Sequence, residues 1–79
     1  MIAIYRPPKR TGELYRIVLN FRYVLIRWRS GKAYVFDGKT GCPPPENVRK
    51  TLLEAERNII RERFGEESPI YKLIVKRAR

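Results

Sequence analysis

The sequence predicts one α+β domain over residues 1–79, with a mostly antiparallel sheet of four to five strands and one helix packed on one face, in the order β-β-β-β-α-β. Three observations predict it. The first half of the chain alternates apolar and polar residues with the period of a half-buried strand. Residues 45–64 repeat apolar positions at helical spacing. At 79 residues the chain builds a single core, and one helix covers only one face of a sheet.

Residues 1–5 (MIAIY) form a short strand, stopped by Arg6-Pro7-Pro8-Lys9-Arg10-Thr11-Gly12, where two prolines and a glycine forbid regular pairing. Residues 14–29 are strand-like throughout, but a single strand of that length would run about 53 Å at 3.3 Å per residue, too long for this domain. The break falls near Asn20–Arg22. Before it the apolar set is Tyr15, Ile17, Leu19; after it the cleaner set is Val24, Ile26, Trp28, of opposite parity, as a turn or bulge would produce.

Ser30-Gly31 closes a hairpin onto Lys32–Phe36. A two-residue loop sets Arg29 opposite Lys32, Trp28 opposite Ala33 and Arg27 opposite Tyr34. One face then reads Val24, Ile26, Trp28, Ala33, Val35, and the other Tyr23, Leu25, Arg27, Arg29, Lys32, Tyr34, Phe36. This segregation favours the two-residue loop and puts Trp28 in the core. A three-residue loop, with Gly31 in a bulge, sets Trp28 opposite Lys32, mixes the faces and opens a stacking role for Trp28.

Asp37–Gly41 is a turn, and Pro43-Pro44-Pro45 leads into a helix over about Pro45 to Phe64 that ends at Gly65. Its main apolar stripe is Val48, Leu52, Ala55, Ile59. A second stripe, Leu53, Ile60 and Phe64, either packs under the N-terminal strand or forms a homodimer or partner interface. Ile70–Lys76 (IYKLIVK) reads as a last strand, followed by a basic tail.

Eighteen Lys and Arg against eight Asp and Glu give a net charge of +10, whose self-repulsion a polyanion would relieve. Residues 1–45 carry nine basic and two acidic groups, net +7, and residues 46–79 nine and six, net +3, so the strand-rich half is the anion-facing half. On the mixed hairpin face Tyr23, Tyr34 and Phe36 offer flat rings for unpaired bases, beside Arg27, Arg29 and Lys32 for phosphates. Arg6, Lys9 and Arg10 form a basic arm that either grips a phosphate backbone or is simply solvated.

Other chemistry finds little support in the residues. Gly38-Lys39-Thr40 resembles the end of a P-loop, but Ala33 occupies the position of the first glycine and no helix follows, which excludes nucleotide hydrolysis there. With no histidine, a nuclease would need Arg, Lys, Tyr and Glu to share acid, base and charge stabilisation. Neither catalytic residues nor a cofactor is implied. The lone Cys42 has no disulfide partner and no histidine to complete a zinc set, and Glu54, Glu56, Glu62, Glu66 and Glu67 read as surface balance, the last three in place of metal ligands. No apolar run reaches membrane-spanning length, so a soluble, cytoplasmic protein without a membrane partner is expected. The absence of His and Gln beside many Arg, Glu and Ile fits a thermophile.

From Val24 to Ala55 the chain resembles the KTSC family, small domains named after the C-terminal region of some lysyl-tRNA synthetases. The match consists of a strand, Ser30-Gly31, the aromatic pair Tyr34 and Phe36, then proline and a Leu-rich helix, 32 residues in all. Phenylalanine stands for the family's second tyrosine, the insertion before the helix is longer, and the glycine and asparagine pattern after it is missing. The resemblance implies RNA binding. Together these readings predict a non-enzymatic nucleic-acid-binding protein that prefers single strands over duplex. The rivals are a protein-interaction module, such as an inhibitor or accessory subunit, and a histidine-free ribonuclease.

Overall fold

A computed structural model describes residues 1–6 and 12–77, and the side chains of 1–6 and 12–75. Four strands, β1 (Ile2–Tyr5), β2 (Glu13–Leu19), β3 (Tyr23–Trp28) and β4 (Ala33–Asp37), form an antiparallel meander in the order β1-β2-β3-β4. Helices α1 (Glu46–Phe64) and α2 (Pro69–Arg77) follow. The α+β class and the antiparallel sheet agree with the sequence reading, and α1 begins and ends within a residue of its expected bounds.

The last element is a correction, because Ile70–Lys76 is helical. The β-branched run reads as strand locally, but Ser68 accepts a hydrogen bond at its Oγ from the Ile70 N–H (3.2 Å), and Pro69 occupies the first helical position. Ile70, Tyr71, Ile74 and Val75 then fall on one helical stripe, and Ile74 is 4% exposed in the core.

β2 turns into β3 at Asn20-Phe21, both left-handed (φ +52° and +57°), with the Arg22 N–H donating to the Leu19 carbonyl at 3.0 Å. This is the break the alternation demands. β3 turns into β4 through three residues, Arg29-Ser30-Gly31: the Trp28 N–H donates to the Lys32 carbonyl and the Gly31 N–H to the Trp28 carbonyl, each at 2.9 Å, with Gly31 at φ +95°. Ile26 therefore pairs Tyr34 and Leu25 pairs Val35, one residue away from the favoured two-residue register. One residue of slip inverts every side chain of β3.

The helix-facing side consequently holds Ile4–Ile17–Leu25–Val35 as one row across all four strands, Ile2–Leu19–Tyr23–Asp37 as the next, and Tyr15–Arg27–Ala33 beyond. Ile17 and Leu25 are fully buried against Leu52 and Ile60 of α1 and Ile74 of α2. Asp37 closes the far end: it accepts two bonds from Arg22 Nε and Nη2 (3.0 and 2.8 Å) and one from the Lys39 N–H (2.9 Å). Those bonds, from Arg22 first, hold its carboxyl below the usual carboxylate range. They also occupy the Gly38-Lys39-Thr40 turn, whose Gly38 N–H donates to the Arg22 carbonyl at 2.7 Å.

Candidate nucleic-acid interface

The alternation that points Tyr23, Leu25 and Arg27 at the helices points Val24, Ile26 and Trp28 away from them. The helix-free face carries the row Tyr5–Arg16–Ile26–Tyr34 across all four strands, beside Ala3–Val18–Val24–Phe36. Trp28 and Lys32 lie beyond Ile26 and Tyr34. The Tyr34 and Phe36 rings stack with centroids 5.2 Å apart and planes at 25°. Tyr5 and Tyr34 are each about half exposed, while Ile26 is 7% exposed between its partners Arg16 and Tyr34. The result is an aromatic and aliphatic surface that no helix covers.

Of the residues expected to form the platform, Tyr34 and Phe36 remain on it, Lys32, one residue before β4, has their parity and stands at its border, and Tyr23 and Arg27 do not. Tyr23 packs against the core. Arg27 is 4% exposed and inserted between sheet and α1. Its Nε and Nη2 donate to Glu56 Oε2 and Oε1 (2.7 and 2.6 Å), and its Nη1 donates to the Gly31 carbonyl (2.6 Å). Tyr15 Oη donates to the same Glu56 Oε2 at 2.6 Å. Burial first, and then the charge of Glu56, push the Tyr15 hydroxyl well above its ordinary pKa, so it stays protonated. Burial alone would lower Arg27; the hydrogen bonds and charge of Glu56 outweigh it and keep the guanidinium charged. An Arg–Glu–Tyr set of the kind a histidine-free ribonuclease requires is thus brought together, but each group is committed to another and buried. It ties the β3–β4 turn to α1.

Six further cations line two clefts on the helix side. One, of about 460 Å³, lies among the β3–β4 turn, α1 and α2, and is lined by Lys32, Arg49 and Arg57, with Arg27 and Glu56 at its floor. The other, of about 520 Å³, brings Arg6 and Arg29 together with Arg63 beside Phe64, Ile70 and Tyr15. Arg29 therefore does not oppose Lys32. It sits in the turn, its N–H donating to the Gly12 carbonyl at 3.0 Å. Lys9 and Arg10 lie outside the described residues. Of the second helical stripe, Ile60 is fully buried and belongs to the core, so it cannot serve as an interface residue; Leu53 lines the first cleft and Phe64, 38% exposed, the second.

Three residues escape the sequence reading. Trp28 reads as core only in the two-residue register. Arg16 follows from parity once Tyr15 and Ile17 are recognised as core. Glu56 is a correction: read as surface balance, it is 1% exposed and pairs with Arg27, and the signal for this was its place four residues from both Leu52 and Ile60, where it interrupts an apolar stripe. Glu66 and Glu67 pair with Arg61 and Lys72. No helix among the described residues is long and apolar enough to cross a membrane. No protein-family model, curated protein or solved structure matches the chain.

Proposed function

We propose that the protein binds nucleic acid without catalysing a reaction, and prefers single strands. Bases stack on Trp28, Tyr34 and Phe36 of the helix-free sheet face, and cations at its border, Lys32 foremost, meet the phosphates. The observation that carries this reading is an uncovered aromatic surface on a chain of net charge +10. Base–aromatic stacking contributes about 1–3 kcal/mol per base and tolerates any sequence, because every base has a π face. A duplex hides those faces, which gives the preference for single strands; RNA and DNA both qualify.

Fluorescence anisotropy of labelled single-stranded and duplex oligonucleotides across a salt series tests it. Affinity for single strands is expected to fall by about 0.7 log units per log unit of salt for each phosphate neutralised. Tyr34→Ala with Phe36→Ala is expected to weaken single-strand binding far more than duplex binding. If every oligonucleotide fails to bind at low salt, the proposal fails; equal losses on single strands and duplex would remove stacking from it.

A further inference from the structure

We infer that the cleft between the β3–β4 turn and the two helices is a phosphate site, through which a bound single strand passes from the aromatic face round the sheet edge to the helix side. The inference rests on the nucleic-acid reading above and adds a second binding surface to it. Among the described residues β4 is an edge strand of the sheet. Lys32 connects the two surfaces: it lines the cleft, and it stands one residue before β4 at the parity of Tyr34 and Phe36, with its carbonyl accepting from the Trp28 N–H.

The cleft is built for an anion. Arg49, Leu53 and Arg57 follow one another at four-residue spacing on α1 and line it together. Four cations meet a single carboxylate there, and that carboxylate, Glu56, is already bound by Arg27 and Tyr15. Arg57 and Lys32 have no ion-pair partner among the described residues. Arg49 reaches only Glu46, at 3.6 Å between two side chains more than half exposed, a pair worth little in water. Arg49 also lies in the first turn of α1, where the helix dipole disfavours a cation. A phosphate would relieve both costs. Leu53, Ala33 and Ile74 supply an apolar wall, against which the attraction is screened less than in open water.

The test uses labelled single strands of about 4 nucleotides, enough for the aromatic face, and about 12, enough to turn the edge. In the variant Arg49→Gln with Arg57→Gln, the salt slope for the longer strand is expected to fall by about 1.4, two phosphates at 0.7 each, with affinity for the short strand within about twofold of wild type. Lys39→Gln with Lys50→Gln removes the same charge away from the cleft and is expected to lower the slope by less than half as much. Both pairs are exposed, and circular dichroism checks that each variant is folded. If wild type binds the strands while Arg49→Gln with Arg57→Gln leaves the slope unchanged, or lowers it no more than the control does, the cleft inference is overturned and the stacking reading stands. If wild type binds neither strand, both fall.

Discussion

Arg27 decides how this chain folds, because a charged residue in the middle of a strand must either reach water or be matched inside. It is matched: the carboxylate of Glu56 takes two of its donors and the Gly31 carbonyl a third. Removing one member of a buried pair leaves the other charge uncompensated, at a cost of about 3–5 kcal/mol. That is a large share of the roughly 4–12 kcal/mol that holds together a chain of this length. Glu56→Ala is therefore expected to lower the unfolding free energy by about 3–5 kcal/mol. Arg27→Met, Glu56→Leu and Tyr15→Phe together are expected to recover most of the loss. Guanidinium unfolding checks both, and a Glu56→Ala protein within about 1 kcal/mol of wild type would deny the triad its role. This residue also marks the limit of what the sequence discloses. Alternation in β3 is readable, but which parity faces inward depends on a partner 29 residues away, and local patterning favours the apolar set Val24, Ile26, Trp28. β4 is read correctly because Tyr34 and Phe36 have the same outward parity in the sequence reading and in the fold, while β3 is inverted.

At the scale of elements, punctuation is more legible than content. The prolines before α1, Gly65 after it and the break at Asn20–Arg22 all fall where the sequence puts them. IYKLIVK does not, because β-branched residues suit a strand, whereas Ser68-Pro69 and the Ile70, Tyr71, Ile74, Val75 stripe impose a helix through packing on α1. The turn at Asn20-Phe21 carries its own strain. Both residues lie in the left-handed region, which costs a bulky side chain about 1–2 kcal/mol, and Phe21 repays none of it in burial, being 78% exposed. Phe21→Gly gives the Asn-Gly pair preferred in such hairpins and is expected to stabilise the fold by about 1 kcal/mol, or roughly 4–8 °C in Tm. A lower Tm in a thermal melt would show that the Phe21 side chain holds the turn in some other way.

Across the whole molecule, the three-residue turn separates what the sequence reading had combined. The aromatics Trp28, Tyr34 and Phe36 occupy the helix-free face, Arg27 goes to the core, and Arg6, Arg29 and Lys32 line clefts on the helix side. In the proposed function, stacking and charge would therefore act from two sides of one thin sheet, meeting at Lys32 on its edge. Trp28 is the only tryptophan in the chain, so its emission reports on the helix-free face directly. The most direct test is a titration of Trp28 fluorescence with an unlabelled single-stranded oligonucleotide at low salt. Stacking of a base on the indole is expected to quench emission saturably, and added salt to restore it. Emission that stays unchanged while anisotropy reports a bound strand would contradict the account, because the strand would then lie elsewhere.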